Sequence, residues 1–289
     1  MIFWIKRYLL KWTAHTRMIK WINEKFKTES NQDEKGFKME MIITGHSHCF
    51  CMGVNPSGLL RLEPIQNDGP AVYGVMGAWN GSRDEVYWKF VAKHAKDRCI
   101  IISWAGNQHN SGFIFSDEES FDFVLNHKDH NPLAQGKTII PKSVLVEHFK
   151  PTLGGLAKVI EILKKGEPSK IILLETPRPK GDGNFILPFI KSSQHFIDLA
   201  EKHGLKVDLL AISTLGFRLK LWQLIQELLA NVANEHGVEY VSVPAELKTA
   251  EGGMKKEFWA NDVTHANTNY GIAVIRHLGN IVFTNGAEK

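Results

Sequence analysis

Along the chain, short apolar runs alternate with stretches of helical periodicity. Met39–Thr44 reads as a buried strand that stops at Gly45, and Ala71–Met76 as a second. A helical stretch through Asp84–Lys96 leads to a third strand, Cys99–Trp104. Thr152–Lys165 has the 3.6-residue period and precedes a fourth, Lys170–Leu174. Phe217–His236 is a long amphipathic helix whose end is marked by Gly237, suited to a left-handed cap. Val238–Val243 follows as the last strand, and Ala266–Phe283 closes the pattern as a helix. Strands alternating with helices predict right-handed crossovers and a parallel sheet covered on both faces. The expected fold is a three-layer α/β/α sandwich with a flavodoxin-like sheet of about five strands, its site at the carboxyl ends of the strands. Residues 106–150 and 181–216 exceed ordinary connections and are expected to be insertions that shape the mouth of that site.

The N-terminal segment breaks this pattern. Up to about Lys27 it mixes Phe3, Trp4, Tyr8, Leu9, Leu10, Trp12, Trp21, Ile22 and Phe26 with a basic residue every few positions. Seven Lys or Arg against one acid give it a net +6; the whole chain carries +4, so the remainder carries −2. The body is therefore not expected to bind nucleic acid on charge grounds. No window of the segment approaches the ~20 apolar residues of a membrane span, and no clean apolar stretch precedes a small-residue cleavage site. A basic helix lying on a membrane surface through residues 1–27 is one reading. A helix packed on the domain is another, as is upstream sequence present only in some gene models, since Met39 and Met41 lie at the start of the first strand. Residues 28–38 are polar and read as a linker, leaving residues 39–289 as the main domain. The three cysteines include no Cys-x-x-Cys pair, which points to a reducing, cytoplasmic setting without a disulfide framework.

Three short motifs fall where such a sheet would carry its site. Thr44-Gly45-His46-Ser47-His48 directly follows the first strand: glycine permits a sharp turn, leaving the serine hydroxyl and amide at the opening. Trp104-Ala105-Gly106-Asn107-Gln108-His109-Asn110 follows the third strand and offers an asparagine amide for a developing oxyanion. Asn261-Asp262-Val263-Thr264-His265-Ala266-Asn267 precedes the final helix, where Asp and His three apart can set a carboxylate beside an imidazole. Each motif alone is also an ordinary turn or helix cap.

Together, in this order, the motifs resemble the SGNH (GDSL-like) hydrolase superfamily of esterases, lipases, carbohydrate deacetylases and some acyltransferases. The resemblance covers about residues 39–285. It implies Ser47 as nucleophile, His265 as general base and then acid, and Asp262 as its orienting carboxylate. It also implies an oxyanion hole made by the Ser47 amide, the Gly77 amide and the Asn107 side chain, with Gly81 a rival for Gly77. No metal or cofactor is implied. His46 stands where the family usually has Asp, and His48 and His109 are candidate substrate-binding residues. The expected substrate is a small-molecule or glycan ester; Trp79, Trp104 and Phe113 near the motifs would suit stacking on a sugar ring, or core packing. An acyltransferase passes through the same acyl-serine intermediate, so it stays open. So do a metal-dependent phosphoesterase, suggested by Gly45-His46-Ser47-His48 and the displaced Gly106-Asn107-Gln108-His109, and a non-catalytic binding protein. Oligomeric state is not legible.

Overall fold

The structure is a computed structural model that describes residues 40–55, 60–65, 71–76, 84–116, 121–125, 133, 135–206 and 211–284. The N-terminal helix and linker (1–38), Gly77, Trp79 and Gly81 lie outside the described residues, as does part of the first insertion.

Six strands make the main sheet: β1 (Met41–Gly45), β2 (Arg61–Pro64), β3 (Val72–Met76), β4 (Cys99–Ser103), β8 (Lys170–Leu174) and β10 (Glu239–Val241), in the order β10-β8-β4-β1-β3-β2. The five expected strands are all parallel to one another. β2 is an addition, antiparallel on the outer edge of β3. Its sequence, Arg61-Leu62-Glu63-Pro64, is only half-buried and holds no apolar run, so it gives no strand signal. β1 and β4 are buried along their whole lengths, which is why they read as unbroken apolar runs rather than alternating ones.

Helices α1 (Glu85–Lys93), α4 (Leu156–Lys164) and α7 (Leu215–Glu235) are the crossovers, and each touches the next. α8 (Thr268–Thr284) packs on the short 3-10 turn Ser47–Met52 that follows β1. Right-handed crossovers put the first set on one face of the sheet and the α8 layer on the other, which gives the three-layer α/β/α sandwich. Thr214 accepts the Phe217 amide and starts α7 two residues before the apolar periodicity indicates, and Gly237 adopts the expected left-handed conformation (φ 60°) after its end.

The insertions carry the remaining elements. The first holds α2 (Gln108–Phe113), β5 (Phe115–Ser116), β6 (Phe121–Asp122), β7 (Thr138–Ile139) and α3 (Lys142–Phe149). The second holds α5 (Gly183–Ser192), α6 (Gln194–Lys202) and β9 (Ala211–Ile212), which pairs with β5. These build a second, smaller apolar cluster of Ile114, Ile186, Ile190, Phe196 and Ala200, and Val263 of the Asp262–His265 turn joins it. Among the described residues no helix is long and apolar enough to cross a membrane.

Candidate active site

The order of the strands reverses between β1 and β4: the chain runs outward from β1 to β3, then crosses to β4 on the other side. That leaves a crevice beyond their carboxyl ends. Ser47 follows β1 and Asn107 follows β4, so both stand at its edge.

Gly45 makes the first turn possible. Its φ is +128°, and a Cβ there would lie 2.1 Å from the Ser103 carbonyl oxygen on β4. The His46 amide donates to that same oxygen at 2.8 Å. On the other side the buried Tyr87 hydroxyl accepts the Gly45 amide at 3.1 Å and bonds the Thr44 hydroxyl at 2.5 Å. The turn is also held from below, because a Cβ on Gly271 of α8 would meet the Cys51 carbonyl oxygen at 1.9 Å. Two close glycine contacts and a buried phenol thus fix where Ser47 begins.

The Asp262–His265 turn is fixed by polar bonds instead. Asp262 Oδ1 accepts the amides of Thr264 (2.8 Å) and His265 (2.7 Å), while Oδ2 lies 2.8 Å from His265 Nδ1. His265 Nε2 in turn lies 2.9 Å from Ser47 Oγ. The three side chains therefore form an unbroken series of hydrogen bonds across 218 positions of sequence. The cap of α8 falls to Asn267, whose side-chain oxygen accepts the Tyr270 amide at 3.2 Å, which leaves Asp262 for the imidazole. Burial opposes the charge on Asp262, but the His265 ring and amide, together with the Lys180 ammonium, outweigh it and hold the carboxyl well below its usual range.

Asn107 lies at the head of α2 with its side chain free of any capping bond, and it lines the cleft beside Ser47. Gly106 lets this loop close on the segment just after β8, since a Cβ would lie 2.4 Å from the Thr176 side chain. His46 ties the two loops together: its Nδ1 accepts the Ala105 amide at 2.8 Å, and its ring lies 4.4 Å from that of Trp104.

The cleft has a volume of about 850 Å³, and a second cavity of about 390 Å³ lies along the Asp262–His265 turn; Ser47, His48 and His265 border both. His48 is buried, with its ring 5.3 Å from that of His265. Neither of its ring nitrogens has a hydrogen-bond partner among the described residues. Burial, and then the neighbouring His265, His109 and His46, lower its pKa to about 3, so the ring is neutral. His109 is 1% exposed and stands apart from the cleft lining; burial and then Arg218 lower it to about 3. Trp104 belongs to the main core and also lines the cleft, while Phe113, half-buried, packs against the core edge-on to Phe121 and Phe149. Cys49, Cys51 and Cys99 are buried free thiols, and burial pushes their pKa values up. Among the described residues no three His, Cys, Asp or Glu side chains are grouped to hold a metal ion.

The sequence reading missed Lys180. Its side chain is fully buried, and its ammonium donates to the Ala260 carbonyl (2.7 Å), the Asp262 carbonyl (2.6 Å) and Asp262 Oδ1 (3.2 Å). The available signal was its place in Thr176-Pro177-Arg178-Pro179-Lys180-Gly181, just past the carboxyl end of β8.

No family model matches the chain, and neither does any curated protein. Solved structures do. The periplasmic domain of a lipopolysaccharide acetyltransferase from Salmonella ser. Paratyphi A is 13% identical with a TM-score of 0.44, covering 86% of this chain and 85% of its own. A provisionally assigned acylhydrolase from Bacteroides fragilis is 11% identical with a TM-score of 0.42, covering 89% and 93%. Est24, a carbohydrate acetylesterase from Sinorhizobium meliloti, is 11% identical with a TM-score of 0.37, covering 86% and 100%.

Proposed function

We propose that this chain is a serine-dependent acyl hydrolase of the SGNH type, with Ser47 as nucleophile. The observation that carries the reading is the bonded series Ser47 Oγ, His265 Nε2, His265 Nδ1, Asp262 Oδ2, with contacts of 2.9 and 2.8 Å, beside a cleft large enough for a small ester. Ser47 Oγ attacks the ester carbonyl and gives its proton to His265 Nε2 as the new C–O bond forms. Asp262, kept ionised, holds the ring in the tautomer with its proton on Nδ1 and stabilises the imidazolium. The Ser47 amide and the Asn107 side chain donate to the oxyanion, with Gly77 as the further donor the resemblance implies. The imidazolium then protonates the departing alkoxide, and a water activated by His265 releases the acid.

A hydroxyl acceptor in place of that water would make the same site an acyltransferase, for which the two cavities flanking Ser47 offer room. The substrate we propose is a small-molecule or glycan ester. The cytoplasmic setting and a peripheral membrane role for residues 1–27 stay proposals drawn from sequence. Hydrolysis of a p-nitrophenyl ester, measured with thermal unfolding, tests the reading: Ser47→Ala should abolish turnover and leave the fold intact. Retained turnover with unchanged stability would overturn it.

A further inference from the structure

We propose that Lys180 is the positioning residue of this site, holding the Asp262–His265 turn in register with Ser47; this rests on the triad reading above. Three observations converge on it. The ammonium is enclosed, with none of its side chain exposed, and all three of its bonds go to one short stretch, Ala260 and Asp262. Two of these acceptors are main-chain carbonyls, so Lys180 fixes the path of the backbone as well as the carboxylate. Lys180 is itself anchored: Arg218, buried on α7, donates from Nη1 to the Lys180 carbonyl at 2.9 Å and from Nε to the Ser213 carbonyl at 3.1 Å. The Met254 amide meanwhile bonds the neighbouring Pro179 carbonyl at 3.0 Å. The line of support therefore runs from α7 through Lys180 to Asp262, His265 and Ser47.

A buried ammonium is costly unless it is fully bonded. Burial lowers the Lys180 pKa and the Asp262 carboxylate works against that fall. A lysine whose only task was to fill space would be replaced without loss by a methionine of similar shape. Here the charge has an electrostatic consequence for the reaction as well as a geometric one. The ammonium meets Oδ1 of Asp262 and the His265 ring meets Oδ2, so removing the cation changes the net charge that the ring faces. Among the described residues His48 is the titratable ring packed against His265, and burial keeps it neutral; His46, Glu85, Lys158 and His195 line the same cleft and are unchanged in the variants.

The test follows phosphonylation of Ser47 by an alkyl fluorophosphonate across pH, using the full chain. In that step the Oγ–P bond forms, fluoride leaves and the serine proton passes to His265, so no natural substrate is needed. Wild type and His265→Ala come first. Absence of labelling at Ser47 in wild type, or equal labelling without His265, refutes the triad reading and the proposal with it. With that reading intact, Lys180→Met should lower the plateau rate about 100-fold through lost alignment. Its acid limb should move to higher pH, because the carboxylate beside the ring has lost its neighbouring cation. Lys180→Gln should show the same movement of the limb with part of the rate restored, since an amide still donates to the two carbonyls. A purely structural lysine would alter the melting temperature and leave the limb in place. Rates within about threefold of wild type with an unmoved limb would overturn the proposal, and so would failure of both variants to fold.

Discussion

The two ends of the bonded series are held by opposite means. Ser47 is placed by close backbone packing: Gly45 against Ser103, Gly271 against Cys51 and a buried tyrosine hydroxyl on Thr44 and Gly45. Asp262 and His265 sit on an irregular turn held by amide bonds and by a buried lysine from another part of the chain. The first arrangement leaves no room for a side chain; the second bonds both carboxylate oxygens of Asp262. Damage at the first should therefore register mainly as lost stability, and damage at the second as altered chemistry.

The sharpest break of this comparison is Ser47→Ala, which removes the proposed nucleophile while both supports remain. Turnover should fall by about 10⁴–10⁶, and the melting curve should scarcely move because Ser47 Oγ bonds only His265 among the described residues. Gly45→Ala should do the reverse. A Cβ at φ +128°, 2.1 Å from a carbonyl oxygen on the neighbouring strand, forces β1 and β4 apart. We expect a loss of roughly 3–5 kcal/mol in urea unfolding, and full stability in that variant would show that the strands can yield. Asn107→Ala tests the oxyanion side. It should lower kcat by about 10²–10³ with KM nearly unchanged, because the amide bonds strongly only once charge has developed on the carbonyl oxygen. A normal kcat in folded enzyme would remove Asn107 from the site.

A smaller effect concerns pH. His48 and His109 have folded pKa values of about 3 against 6.5 for a free imidazole. Their depressed values mean the unfolded chain binds protons that the folded chain refuses, so stability is intact above about pH 6.5 and declines as pH falls toward 3. Each ring contributes a slope of at most about 1.4 kcal/mol per pH unit. Replacing His48 by Gln should flatten the dependence of unfolding free energy between pH 6.5 and 4.5, and an unchanged slope would show that His48 takes up its proton without unfolding. Smallest of all, EDTA should leave ester hydrolysis unaltered. Loss on chelation with recovery on added Mn²⁺, and cleavage of a phosphodiester, would favour the phosphoesterase reading instead.

The same contrast explains what was legible in sequence. β1, β4 and β8 are enclosed on both faces, so their residues form apolar runs that announce them; Gly45 and Gly106 mark sharp turns that any reading of strand ends would find. Edge strand β2 is half-exposed and polar and makes no such mark. α5 carries Pro188 in its interior, which breaks the helical signal of a segment that nonetheless folds as helix around Ile186 and Ile190. His46 could be read only as a departure from a pattern, because its bond to the Ala105 amide depends on how β1 and β4 sit side by side. Lys180 lies among Pro and Gly, where lysine ordinarily means a solvated loop; its burial involves residues distant in sequence, with the Phe185 ring 5.6 Å from its ammonium and the Ala260 and Asp262 carbonyls bonding it. Short-range motifs mark the groups proposed to react, whereas the polar support behind them comes from residues distant in sequence.

The most direct measurement of the central claim is peptide mapping by mass spectrometry after treatment with a fluorophosphonate. The account predicts one adduct per chain, on Ser47, that is lost in Ser47→Ala and strongly slowed in His265→Ala. An adduct on another residue, or labelling of Ser47 that proceeds equally well without His265, would contradict it.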